Sequence, residues 1–151
     1  MATRLRRSKD KEQIYQQLVR GEDAPFMLLK DVFLMAACIG YKYARREPIA
    51  PGGEQIPWSV FNDDADHAIV NAIALAETSE LHVLLSTEDQ MERKFNILEE
   101  YANGGIAILE QKVMNAPGNL LDNLIGLIFE EEIDDRSSPR GVLNKIAEDL
   151  F

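Results

Sequence analysis

Apolar side chains recur along this chain at three- and four-residue steps almost from end to end, and the strict alternation that marks a half-buried strand is nearly absent. In KDKEQIYQQLVRG, Ile14 and Leu18 stand four apart, as do Tyr15 and Val19, and Gly21 supplies a stop, so the spacing predicts a short amphipathic helix. After Pro25, the set Phe26, Leu29, Val32, Phe33, Ala36, Ala37 and Gly40 keeps helical steps, and Leu28, Leu34 and Met35 widen the stripe. A helix apolar on most sides belongs at the centre of a fold, and this one is expected to end at Gly40. Between Glu47 and Phe61, EPIAPGGEQIPWSVF holds three prolines and the Gly52-Gly53 pair, which predicts a loop or a short extended hairpin.

Beyond that break, Asn62 or Asp63 is placed to cap a helix whose first turn carries Asp64 and Asp66, carboxylates favoured by the positive end of the helix dipole. Ile69, Val70, Ile73 and Ala76 are expected to form its buried stripe, and ELHVLL predicts a further short helix. Thr87 with Gln90 has capping-box spacing for another, where Met91, Phe95, Leu98 and Ala102 point one way. That helix is expected to halt or kink at Asn103-Gly104-Gly105. The pattern resumes with Ile106, Leu109 and Val113, stops at Pro117-Gly118 and returns in NLLDNLIGLIF before the acidic EEEIDD. Ser138 before Pro139 is a start signal for a last helix bearing Leu143, Ile146, Ala147 and Leu150. No internal repeat is present. The expected fold class is therefore all-α: a compact single-domain helical bundle over 1–151, with the Pro/Gly-rich loop or short hairpin after the second helix. Its core should include Phe33, Ala36, Ala37, Ile73, Phe95, Leu98 and Leu124.

Composition supports that size of core, since 46% of the 151 residues are apolar. The one cysteine, Cys38, excludes an internal disulfide framework and reads as a buried thiol of a reduced compartment. The longest uncharged apolar stretch covers roughly ten positions, about half of what a spanning helix needs, so no membrane association is expected. MATRLRRSKDKE lacks the apolar centre of a secretory signal. The expected location is cytoplasmic. Net charge is -10, but unevenly spread: residues 1–50 carry ten Lys/Arg against six Asp/Glu, and the remaining residues six against twenty. An acidic total argues against indiscriminate nucleic-acid binding, while the first third is suited to attract an anion or an acidic partner.

No nucleotide-binding glycine motif, nucleophile elbow or Cys-x-x-Cys occurs, and no catalytic residue, metal ligand or cofactor is assigned. Asp63, Asp64, Asp66 and His67 would share one side of a helix, which keeps a small metal-dependent nuclease as an alternative beside the simpler reading of dipole-complementing carboxylates. Trp58, on the loop beside Pro57, is expected to pack rather than to stack on a base. Two basic groups remain. Arg4, Arg6, Arg7 and Lys9, with Lys11, make a basic N-terminal arm over about 1–10, and Lys42, Tyr43, Arg45 and Arg46 crowd the end of the central helix. Cations there complement the helix dipole, and with Tyr41 and Tyr43 interleaved they also make a plausible surface for DNA phosphates or a partner subunit. The acidic segment over about 119–151 carries no assigned role.

The strings KDVFLMAACIGYKYARREPI, IPWSVF, NAIALAET and ILEEYANGGIAIL resemble the family named DNA phosphorothioation-associated protein 4, over roughly residues 9 to 115. Members accompany systems that replace a non-bridging phosphate oxygen of DNA with sulfur and restrict DNA lacking the mark. The resemblance implies a role in antiphage defence; with no catalytic residue assigned, the expected function is that of a non-enzymatic accessory protein that binds DNA or another subunit of the restriction system through the basic helix end. A general protein-interaction adaptor is the other alternative, and the oligomeric state stays open.

Overall fold

In a computed structural model, residues 3–134 are described, with side chains through Phe129. The elements run β1 (Arg4–Arg6), α1 (Glu12–Arg20), α2 (Leu29–Lys42), β2 (Gln55–Pro57), α3 (Ala65–Thr78), α4 (Glu88–Leu109) and α5 (Leu120–Asp134), with short 3-10 turns between several of them. The expected helix within 138–150 lies outside the described residues. Among the described residues no helix is long and apolar enough to cross a membrane.

The α2–α4 contact is the centre of the fold. All seven expected core residues are buried, and Phe33, Ala36, Ala37 and Leu98 have no accessible surface. Here two sequence expectations fail for one reason. Gly40 does not end α2, which runs on to Lys42, and Gly104-Gly105 does not break α4, which continues to Leu109 and into a π turn over Glu110–Met114. These glycines mark close approach instead. A Cβ on Gly40 would stand 1.9 Å from the Tyr101 carbonyl oxygen, and one on Gly105 would stand 1.6 Å from that of Ala36. Backbone meets backbone, so only hydrogen fits. Cys38, two residues past Ala36 and so on the opposite side of α2, is exposed rather than buried.

The fold is mostly helical but not purely so. β1 and β2 form an antiparallel pair with Leu5 opposite Ile56, both buried. The Pro/Gly-rich segment therefore does not fold on itself as a hairpin; its strand pairs with the residues expected to form an arm. Three-residue strands are too short for alternation to register. Gly52, at φ +86°, makes the turn before β2, and Pro57 is tolerated because it faces Arg4 at a position that needs no N–H from it.

Between α2 and β2 the chain is strapped across α4. Arg45 N–H donates to the Gly40 carbonyl at 2.8 Å, Glu47 N–H to the Glu100 carbonyl at 3.1 Å, and the Asn103 side-chain amide to the Pro48 carbonyl at 2.8 Å. Ala50 N–H then reaches Ser8 Oγ at 2.8 Å, which closes the segment onto the turn that follows β1.

Candidate functional site

The two basic groups stand on either side of α4, each tied to it by a carboxylate. Glu99, buried, accepts three bonds from Arg6: from the backbone N–H at 2.6 Å, from Nε at 3.0 Å and from Nη2 at 2.9 Å. This bidentate fork and the charge of Glu99 raise the Arg6 pKa further. On the other flank, Arg46 bonds Glu100 through Nε at 2.7 Å and Glu77 through Nη1 at 2.8 Å, and lies over the Tyr101 ring. The Tyr101 hydroxyl donates to Glu77, and burial together with that bond pushes its pKa up to about 12. Arg45 bonds Glu47 at 2.8 Å. Arg7 is buried, with Nη1 3.0 Å from Glu12 and its guanidinium over the Tyr15 ring. Arg4 and Lys9 are exposed, as are Lys42 and Tyr43, with Lys112 Nζ 5.3 Å above the Tyr43 ring. The structure thus does not merge the two groups into one surface. It builds Arg6, Arg7 and Arg46 into the fold.

The carboxylates that hold these cations escaped the sequence reading. Glu99 sits between Leu98 and Glu100 in ILEEYANGG and looks like one of two solvated acids. A usable signal is its step of four from Phe95, which places it beside the apolar stripe of α4 rather than opposite it. Lys94, also on α4, is buried too, and burial lowers its pKa.

A cleft of about 750 Å³ opens between β1 and the first half of α4. Thr3, Arg4, Arg6 and Gln55 form the sheet wall; Glu88, Asp89, Glu92, Arg93, Asn96 and Glu99 form the helix wall, with Phe95 between them. Of its cations, Arg6 is held by Glu99, and Arg93 by Glu80 at 2.6 Å. The lining as a whole holds four carboxylates, Glu88, Asp89, Glu92 and Glu99, against the three arginines.

The acidic start of α3 is occupied by structural bonds. Asn62 Oδ1 accepts from the Ala65 and Asp66 amides at 2.8 and 3.1 Å, and Asp66 Oδ2 accepts in return from Asn62 N–H at 2.9 Å, a reciprocal cap. Asp66 also accepts from Lys30 Nζ at 2.5 Å. Burial by itself would raise the Asp66 pKa; the Lys30 and Asn62 bonds outweigh it and hold the carboxyl below its ordinary value. His67 stacks on Trp58, ring centroids 4.1 Å apart and 7° from parallel, with Nδ1 3.5 Å from Asp63. Among the described residues no group of three or more His, Cys, Asp or Glu side chains is placed to hold a metal ion.

Trp58 also meets Phe61 and Phe95, at 5.3 and 5.0 Å between ring centroids. Trp58→Ala is therefore expected to cost about 2 kcal/mol in urea denaturation, less than full burial would imply because the indole is half-buried. Unchanged stability with lost partner binding would contradict this packing role.

Fold and site together define a small, mostly helical protein whose ionic groups clamp its own elements, with a cleft beside β1. The chain belongs to the family DNA sulphur modification system-associated protein 4, whose model matches residues 4–145. That match extends beyond Pro117, where the motif resemblance ends. No curated protein and no solved structure matches the chain.

Proposed function

We propose that this protein is a non-enzymatic accessory component of a DNA phosphorothioation-dependent restriction system, and that it works by docking to another protein subunit of that system rather than to DNA. Its family is associated with a DNA sulphur modification system, which supplies the setting. The observation that carries the choice of protein over DNA is the pairing of the cations. Arg6, Arg45 and Arg46 each bond carboxylates of this same chain. A phosphate would have to displace Glu99, Glu47, Glu77 or Glu100, against the repulsion of a chain of net charge -10. The nuclease alternative loses support from Asp66, whose carboxylate is engaged by Lys30 and the Asn62 amide, and from His67, which is stacked on Trp58.

Replacing Lys42, Arg45 and Arg46 together with Gln separates the two versions. On the docking reading the triple variant loses about 1–2 kcal/mol of stability, because Arg46 no longer links Glu77 to Glu100 at a half-exposed site, and duplex affinity at low salt stays as it was. If the same variant instead binds duplex DNA more weakly, with a flatter salt dependence, the cations contact phosphates and the protein-docking reading fails.

A further inference from the structure

α5 is apolar on two sides. Leu124 and Leu127 are buried on the side that meets the π turn over Glu110–Met114, the element on which α5 chiefly packs. Asn123 fastens that turn, donating from Nδ2 to the Val113 carbonyl at 2.9 Å and to the Ala116 carbonyl at 3.2 Å. The other side carries Leu121, Ile125, Ile128 and Phe129, which are 47%, 41%, 43% and 57% exposed. Apolar side chains exposed singly are ordinary, but four in one row on a helix make a contiguous patch where polar residues normally stand. The row is also symmetric about its middle. Leu121 lies four residues before Ile125 and Phe129 four residues after it, about one helical turn each way.

We infer that this row is a contact between two copies of the chain: α5 pairs antiparallel with α5 of a second copy, across a two-fold axis at Ile125. A two-fold contact needs a surface that is its own complement, and a row symmetric about one residue is such a surface. Antiparallel pairing sets Ile125 against Ile125 of the second copy and Leu121 of each copy against Phe129 of the other, with Ile128 inserted between Leu121 and Ile125 opposite. Charge fixes the direction. α5 ends in the acidic sequence Glu130-Glu131-Glu132, while its first two turns lie beside Lys112, which lines one groove with Asp122 and Asn123. The antiparallel arrangement brings the acidic end of each helix to the start of the other, where the dipole is positive and Lys112 stands; a parallel one would set acid against acid. Four half-exposed side chains per copy cover less than the roughly 800 Å² per partner of a standard interface, so the dimer should be weak, with a dissociation constant on the order of tens of micromolar.

Sedimentation equilibrium of the full-length protein, from micromolar to near-millimolar concentration, should show a reversible monomer–dimer equilibrium. Ile125→Glu places two carboxylates face to face on the axis and should weaken the dimer at least tenfold, while the melting temperature in dilute solution changes little because the position is half-exposed. Cysteine pairs then read the direction, in a Cys38→Ser background because Cys38 is itself exposed. Under mild oxidation Ile125→Cys should link to its own kind across the axis, whereas Leu121→Cys should link only when mixed with Phe129→Cys, because two Leu121 positions stand too far apart for a disulfide. A monomer at every concentration, a dimer that Ile125→Glu leaves intact, or a Leu121→Cys variant that links readily to itself would overturn the inference. If the parent is monomeric and a subunit of the system captures it but not Ile125→Glu, the row belongs to that subunit, and the inference fails while the proposed docking function stands.

Discussion

Gly105→Ala is expected to destabilise the protein by at least about 3 kcal/mol or to prevent its folding, whereas Gly126→Ala should stabilise it by about 0.5–1 kcal/mol. Both glycines lie inside helices, so intrinsic propensity predicts a gain at each. Their surroundings decide the sign. A Cβ at Gly105 would stand 1.6 Å from the Ala36 carbonyl oxygen and 2.5 Å from its carbon, while one at Gly126 meets nothing within 4 Å. The atoms in the way at Gly105 are backbone, which cannot rotate aside, so α2 and α4 must separate and loosen Phe33, Ala37 and Leu98 along with them. Gly40→Ala, which drives into Tyr101 from the facing helix, should cost a comparable amount. The double variant should cost less than the sum, because the helices are already parted. Urea denaturation of the four variants checks all of this, and an unaltered Gly105→Ala would mean that α2 and α4 do not touch there.

The second large effect is expected at Asp66. Asp66→Asn should cost about 2–4 kcal/mol, since it leaves the largely buried Lys30 without its counter-charge and weakens the Asn62 cap of α3. It should also change the acid limb of the stability curve. The Asp66 carboxyl titrates below its ordinary value in the folded protein, so it contributes stability above roughly pH 4, and that contribution disappears as pH falls through the folded pKa. Lys30, whose bond to Asp66 raises its pKa, stays charged throughout that range and adds no slope there. Denaturation from pH 7 to pH 2 should show a shallower acid loss in Asp66→Asn than in the parent. Parallel curves would mean that the ion pair contributes nothing in solution.

Helices and core were legible because their signal is local and repeated. The stripe Phe33, Ala36, Ala37 and the stripe Phe95, Leu98, Ala102 each state which side faces in, and each does. Glycine was misread at Gly40, Gly104 and Gly105 because one residue type serves both helix ends and helix contacts; only the partner helix distinguishes them. β1 and β2 were missed because neither strand is long enough to show a period, and their pairing joins segments some fifty residues apart. The basic residues were visible, but their meaning was not. Charge along a chain says where cations are dense, not that Glu99 and Glu100, side by side on α4, would each take one. The cleft was likewise invisible, since its two walls come from β1 and α4, which lie far apart along the chain.

The central claim is that this chain docks to protein rather than to DNA within its system. Sedimentation velocity tests it most directly: the labelled protein is run at low salt with each purified subunit of the phosphorothioation and restriction machinery, and separately with duplex DNA bearing or lacking the sulfur mark. The account predicts that the label shifts to faster sedimentation with at least one subunit in the absence of DNA and does not shift with either duplex. A shift with duplex alone, and none with any subunit, would contradict it.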